Sequence, residues 1–275
     1  MREVTARELI ERYDGFLLDA YGVLVDSHAT LAGGNEFLTE LRSLKKPFCI
    51  ISNDGSTTPQ AKAARWEKRG LKIEPEQLLT PWSVLAAKLG PLKAAGKSGF
   101  VIGTELSEEM LRRAGGRVSR GDEIPEVIYL ADEQAEPFME KCDRALSLAL
   151  RSEREKGKLP ELALLNPDLV YPAENGYGFT AGAIALMFEG GLERLTGRPC
   201  RFTQVGKPGP EIFELGLEYL GIPKERVVMI GDQWETDIRG ARAAGLDSVL
   251  ATTGLGHPDS RFPDQMILCG FPDSR

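Results

Sequence analysis

Residues 15–22 read GFLLDAYG, a short apolar run that ends at Asp19. Such a run, followed at once by a polar loop, is typical of a parallel strand that is buried on both faces. The same pattern recurs at PFCIIS (47–52), RFTQV (201–205), RVVMIG (226–231) and SVLATTG (248–254). Helical segments lie between these runs, so the sequence predicts an α/β core with a doubly wound, Rossmann-like parallel sheet.

The middle of the chain predicts a second, smaller α/β unit inserted into the first. Three further apolar runs lie there, GFVIGT (99–104), EVIYLA (126–131) and ELALLN (161–166), and helical segments separate or follow them. We therefore expect a core domain formed by residues 1–80 and 199–275. Residues 81–198 are expected to form a cap domain.

Composition excludes several classes of protein. The 275 residues include 41 acidic and 34 basic residues, and the net charge of -7 argues against non-specific nucleic-acid binding. No apolar run approaches the roughly 18 residues that a membrane span needs. Because the four cysteines are scattered without a CxxC pair, we expect a reduced, cytoplasmic protein. From the charge and the short apolar runs, we expect neither a membrane nor a nucleic-acid partner. The choice between a monomer and a homodimer stays open.

Acidic residues follow the ends of two predicted core strands. Asp19 follows FLL directly, Asp232 follows VVMIG directly, and Asp237 lies five residues later. Ligands of open α/β sheets bind beyond the carboxyl ends of the strands. Carboxylates gathered there repel one another unless a cation lies between them. Mg²⁺ suits this set, because it binds a few carboxylates together with water and phosphate oxygens.

Two other strand ends carry groups that suit a phosphate. Ser52 and Asn53 follow PFCII, and their side chains and the N–H groups after them are available to an anion. Lys207 follows RFTQV, just before a predicted helix whose amino end near Pro210 also favours an anion. Each group alone is more typical of a turn or a surface. Together they indicate phosphoryl transfer through an aspartyl-phosphate.

At these positions the chain resembles the haloacid dehalogenase superfamily. FLLDAYGVL resembles its first motif, IISN its second, Lys207 in GKP its third, and GDQWETD its fourth. The position of the insert is similar to that of a class II cap, and NPDLVYPAENGYGFTAGAIA is similar to a stretch of subclass IIA. Relatives in that subclass include phosphatases of nucleotides and sugar phosphates. The resemblance therefore implies a Mg²⁺-dependent hydrolase whose substrate is a small phosphorylated metabolite.

The resemblance also implies roles for the residues that hold phosphate. Asp19 would be the nucleophile that attacks phosphorus. Ser52 would donate a hydrogen bond to the phosphoryl group, with Asn53 beside it, and Lys207 would stabilise the phosphoryl charge.

For the metal, the resemblance implies a set of oxygen ligands. Asp19, the main-chain carbonyl of Tyr21 and Asp232 would bind Mg²⁺. Asp237 would orient metal-bound water or Lys207, which places it in the same metal site.

Tyr21 departs from the pattern of the superfamily's phosphatases, which carry a second aspartate at this position as general acid and base. A phenol with a pKa near 10 is a poor general base at neutral pH. Losing one acid–base group typically costs about 10²–10⁴-fold in rate. The sequence therefore leaves open a slow phosphatase and a phosphoester-binding protein without turnover. Asp26, in the following loop, is a candidate substitute acid, although a turn residue is the simpler interpretation.

The DAYG string also resembles the first motif of the 2-haloacid dehalogenases, which need no metal. Asp232 and Asp237 argue against that third function. Extra acids in a metal-free site would repel a carboxylate substrate.

Overall fold

The computed structural model describes residues 2–26, 29–87, 94–134, 137–173, 176–255, 257 and 264–271. The chain forms two compact units. The first, which we call the core unit, contains residues 1–52, 59–79 and 207–275. The second, the insert unit, contains residues 53–58 and 80–206.

Helices and strands alternate through both units. The first part of the core unit contains β1 (Arg2–Glu3), α1 (Ala6–Arg12), β2 (Gly15–Leu18), α2 (Gly34–Ser43), β3 (Phe48–Ile51), α3 (Pro59–Glu67) and β4 (Leu78–Leu79). The insert unit contains α4 (Pro81–Ala86), β5 (Ser98–Ile102), α5 (Glu105–Arg113), β6 (Arg117–Val118), β7 (Val127–Leu130), α6 (Phe138–Lys156), β8 (Glu161–Leu164), β9 (Val170–Ala173), β10 (Gly176–Phe179), α7 (Ala181–Thr196) and β11 (Thr203–Gln204). The core unit resumes with α8 (Pro210–Leu220), β12 (Val227–Gly231), α9 (Arg239–Ala243), β13 (Asp247–Ala251) and β14 (Met266–Leu268).

The core sheet has seven strands in the order β1-β14-β13-β12-β2-β3-β4, and every pair is parallel. Every residue of β2, β3 and β12 is buried, as a sheet covered on both faces requires. This confirms the predicted doubly wound α/β fold. Register pairs Phe16 with Val228 and Leu18 with Ile230. The residues that follow β2 and β12 therefore emerge side by side at one edge of the sheet.

Local signals in the sequence set the helix ends. Thr5 and Glu8 form a capping box, in which the Thr5 N–H donates to Glu8 Oε2 at 2.8 Å and the Glu8 N–H donates to Thr5 Oγ1 at 3.2 Å. Pro210 stands in the first turn of α8, directly after Lys207–Gly209. The amino end of α8 is thereby fixed close to Lys207 in the chain.

The insert unit has its own parallel sheet, in the order β11-β8-β7-β5-β6, together with the antiparallel hairpin β9-β10. The predicted strands at 99–104, 126–131 and 161–166 correspond to β5, β7 and β8. The expectation that 201–205 adds a strand to the core sheet is wrong. Thr203 pairs with Ala163 of β8 instead. A short apolar run indicates a strand but carries no information about which sheet it joins.

The segment between β12 and β13, where the sequence predicts a helical segment, is not one regular α-helix. Residues Trp234–Ile238 form a π-helical turn, and α9 follows it directly. The Ile238 N–H donates to the Gln233 carbonyl at 3.2 Å, the wider spacing of a π turn. Across the described part of the chain, no helix combines the length and the apolar character that a membrane crossing requires.

Candidate active site

Lys207 and two carboxylates form a buried ion-pair network at the carboxyl edge of the core sheet. Asp19 directly follows β2, and its N–H donates to the Ile230 carbonyl at 2.8 Å. The Lys207 Nζ donates to Asp19 Oδ1 at 2.6 Å and to Asp237 Oδ1 at 2.7 Å. All three side chains are at most 8% exposed. The structure thus brings the predicted nucleophile and the predicted lysine into direct contact.

Asp232 completes the acidic cluster. One ligand oxygen each from Asp19, Asp232 and Asp237 can be chosen so that all three lie within 4.8 Å of one another. Asp232 Oδ2 accepts a hydrogen bond from the Leu255 N–H at 2.7 Å. Asp232 Oδ1 is buried and has no hydrogen-bond partner among the residues that the structure describes. A buried carboxylate oxygen normally has a partner, so this atom is suited to a cation.

The cluster favours a divalent cation on charge as well. Three carboxylates against one ammonium leave an excess of negative charge in a buried place. Mg²⁺ takes carboxylate oxygens while keeping several waters for a phosphate to displace. The residues present therefore fit the metal that the sequence predicts.

Burial and charge shift the pKa values of the cluster. Burial, with the negative charges of Asp19 and Asp237, raises the pKa of Asp232 to about 8. Burial raises the pKa of Asp237 to about 6, although the Lys207 charge acts in the opposite direction. For Lys207, burial alone would lower the pKa, but attraction to the two aspartates outweighs it and raises the pKa. Lys207 therefore stays charged at neutral pH, and the repulsion that raises the pKa of Asp232 is repulsion that a bound cation would relieve.

Two glycines shape the space around Asp232. Gly22 adopts a left-handed φ of 77°, and a β-carbon there would clash with Asp232 Oδ2. A β-carbon at Gly254 would clash with the same oxygen and with the Gly22 main chain. Neither glycine is among the site residues predicted from the sequence. In the sequence they are the glycine directly after DAY and the glycine that ends ATTG. Nothing in either stretch indicates that these glycines lie against Asp232 in the folded chain.

The predicted phosphate-binding residues occupy different units. Ser52 is buried directly after β3, the strand beside β2, and its N–H donates to the Leu79 carbonyl at 3.0 Å. It therefore stands at the same sheet edge as Asp19. Asn53 is also buried but groups with the insert unit, where a β-carbon on Gly206 would clash with Asn53 Oδ1. The role of Asn53 stays a prediction.

Tyr21 is half-buried and is held by α3. The Arg65 guanidinium donates to the Tyr21 hydroxyl at 3.1 Å. The Tyr21 ring packs edge-on against Trp66, with 6.3 Å between ring centroids. Asp26, the candidate substitute acid, accepts a hydrogen bond from the Ala29 N–H at 2.7 Å, which is turn geometry. Arg65 is a residue that the sequence analysis did not single out.

Comparison with protein families and known proteins agrees with this geometry. A family model described as haloacid dehalogenase-like hydrolase matches residues 16–117, and one described as HAD-hydrolase-like matches residues 204–266. The chain is 29% identical to a dihydroxyacetone phosphatase of Corynebacterium glutamicum (strain R), over 87% of this chain and 81% of that protein. It is 25% identical to an acid sugar phosphatase of Staphylococcus haemolyticus (strain JCSC1435), over 96% and 95%.

Among solved structures, a 4-nitrophenylphosphatase from Thermotoga maritima is similar along nearly the whole chain. The TM-score is 0.78 at 25% sequence identity, and the match covers 95% of this chain and 96% of that one. Similarity in both sequence and structure thus extends over the core and the insert.

Proposed function

We propose that the chain is a member of the haloacid dehalogenase superfamily and that it is a Mg²⁺-dependent phosphatase of a small phosphorylated metabolite. The observation that carries the proposal is the contact of Lys207 with Asp19 and Asp237, with Asp232 beside them. The relatives reported above are named dihydroxyacetone phosphatase, acid sugar phosphatase and 4-nitrophenylphosphatase. All three names denote phosphatases of small molecules, which supports a small phosphate ester as the substrate here.

The proposed chemistry proceeds in two steps. A carboxylate oxygen of Asp19 attacks phosphorus and an aspartyl-phosphate forms. The bond from phosphorus to the leaving-group oxygen breaks, and that oxygen takes a proton from water. Water then releases inorganic phosphate and restores Asp19. Lys207, which donates to Asp19, would stabilise charge on the phosphoryl oxygens. Ser52 would donate a hydrogen bond to those oxygens, and the same role for Asn53 stays a prediction.

The proposed metal set comprises Asp19, the main-chain carbonyl of Tyr21, Asp232 and Asp237. When bound there, Mg²⁺ neutralises phosphate charge as the nucleophile approaches. Asp237 holds Lys207 in place through its own ion pair. Asp232 supplies the buried oxygen that has no other partner among the described residues.

The proposal is tested by phosphate release from a panel of triose, sugar and nucleotide phosphates and 4-nitrophenyl phosphate. We expect turnover with Mg²⁺ and none with EDTA. Tyr21 motivates the competing function, a phosphoester-binding protein without turnover. Calorimetry distinguishes the two, since saturable binding in Mg²⁺ with no phosphate release from any compound would replace the phosphatase by the binder. No observation on the described residues favours a dehalogenase.

The cellular setting is a separate part of the proposal. The four cysteines are free thiols, and Cys49 and Cys142 are buried, which supports a reducing, cytoplasmic location. Burial raises the pKa of both thiols, so they are unreactive packing residues. Whether the protein is a monomer or a homodimer is a question for sedimentation in solution.

A further inference from the structure

The Tyr21 side chain is attached to α3 at two points. Its hydroxyl accepts a hydrogen bond from the Arg65 guanidinium at 3.1 Å. Its ring meets the Trp66 ring at an interplanar angle of 75°, and Trp66 is fully buried. Two consecutive residues of one helix therefore hold the two ends of the phenol. The ring contact limits sideways movement, and the hydroxyl contact sets how far the side chain reaches.

The main chain beside Tyr21 is attached to the acidic cluster by different contacts. The Gly22 N–H donates to the Val25 carbonyl at 2.8 Å. The Thr253 hydroxyl donates to the Gly22 carbonyl, and the Gly22 Cα lies against Asp232 with no room for a β-carbon. A shift of Tyr21 along the chain would therefore be transmitted to the Asp232 carboxylate. Residues 19–22 form a short connection between α3 and the proposed metal site.

We propose that Arg65 is a positioning residue for that metal site. Through the Tyr21 hydroxyl it holds the main chain of residues 19–22 in the arrangement that receives Mg²⁺. The inference rests on the proposed function, because it requires that Mg²⁺ bind at Asp19 and Asp232. Mg²⁺ demands near-ideal octahedral geometry, so a small displacement of its oxygen ligands weakens binding.

The Tyr21 side chain thus has a positioning role that is separate from proton transfer. A phenol is long enough to reach Arg65, as the 3.1 Å hydrogen bond demonstrates, and it positions the backbone without taking part in proton transfer. The alternative is that Trp66 packing alone fixes Tyr21 and the hydroxyl contact is incidental. The two accounts differ in what happens when only the hydroxyl or only the guanidinium is removed.

A double-mutant cycle on Mg²⁺ affinity separates them. Titration calorimetry without substrate gives the Mg²⁺ Kd of the full-length protein, Tyr21→Phe, Arg65→Met and the double variant. Tyr21→Phe keeps the ring and Arg65→Met keeps the aliphatic stem, so folding is preserved. We expect each single change to raise Kd about 5-fold, the size of one partly exposed charge-assisted hydrogen bond. The double variant should be no weaker than either single variant.

Lys68→Met is the matched control, since it removes a positive charge from an exposed residue just after α3. Its Mg²⁺ Kd should stay within about twofold, because salt screens the charge of an exposed side chain. Additive effects in the cycle would overturn the proposal, as they would mean that Arg65 acts through its charge and not through Tyr21. Unchanged Kd in all variants would overturn it in favour of packing alone. A wild-type protein that binds no Mg²⁺ would overturn the proposed metal site as well, which makes the two failures distinguishable.

Discussion

Asp232 is the residue whose protonation should respond most strongly to the metal. Its pKa is raised to about 8, far above the roughly 3.9 of an aspartate in an unfolded chain. A raised folded pKa means that the folded protein binds a proton that the unfolded chain has lost. We therefore expect the contribution of Asp232 to the stability of the metal-free protein to fall as pH rises from about 4 to about 8.

Thermal unfolding in EDTA and in Mg²⁺ between pH 5 and 9 tests this sign. We expect the Tm in EDTA to fall with rising pH and the gain from Mg²⁺ to grow over the same range, since protons compete with the metal below about pH 8. Asp232→Asn removes the titrating group and should flatten this difference. A Mg²⁺ effect as large at pH 5 as at pH 8 would contradict the account.

Tyr21 is the residue that decides how fast the proposed reaction runs. Tyr21→Asp should raise the rate of phosphate release at saturating Mg²⁺ by about 10-fold or more, because an aspartate can protonate the leaving group and activate water. The same change removes the ring contact with Trp66 and shortens the side chain, so Mg²⁺ affinity should fall. Steady-state kinetics over a Mg²⁺ series separates the two effects. An unchanged or lower rate at saturation would mean that another group already supplies the proton.

At the scale of elements, the loop after β2 depends on Gly22. Ala at this position would have to adopt a left-handed φ, and its β-carbon would clash with the Asp232 carboxylate. Gly70 is the matched control, with a φ of 86° and no atom within 4 Å of an added β-carbon. We expect Gly70→Ala to cost about 1–2 kcal/mol of stability without changing Mg²⁺ affinity. Gly22→Ala should in addition weaken Mg²⁺ binding by at least about 10-fold, or about 1.4 kcal/mol.

Calorimetry on the two glycine variants checks this difference. Equal Mg²⁺ affinity in both would show that the close approach of Gly22 to Asp232 does not matter. The comparison is informative because both positions have a left-handed φ, whereas only Gly22 lies against the Asp232 carboxylate.

Strands that consist of an apolar run ending at an acidic residue could be predicted from the sequence, whereas other elements could not. β2 and β12 are apolar runs that end directly at Asp19 and Asp232, so the sequence predicts both the strand and the acidic residue at its end. β11 also looks like a core strand, but only pairing with β8 decides its sheet. The π turn before α9 could not be predicted, because the composition of WETDI does not distinguish it from an ordinary α-helix.

For the whole molecule, the parallel sheet explains why residues distant in sequence form one site. The parallel strands β2 and β12 bring Asp19 and Asp232 to one edge, and the sequence predicts this once the two strands are recognised. Lys207 does not follow a core strand, and its side chain joins them by donating to Asp19. Contacts that depend on tertiary packing could not be predicted from the sequence. Arg65 reads as a surface residue of α3, and nothing in its local sequence indicates Tyr21 as its partner.

The central claim is that Asp19 is the nucleophile of a Mg²⁺-dependent phosphatase. The most direct test is the rate of phosphate release by the wild type and by Asp19→Asn, each with Mg²⁺ and with EDTA. Asn keeps the shape of the side chain but cannot form the aspartyl-phosphate, so the variant should lose turnover while staying folded. Phosphate release by the wild type only, and only with Mg²⁺, is the predicted result. Turnover that survives in Asp19→Asn, or that is absent from the wild type with Mg²⁺, would contradict the account.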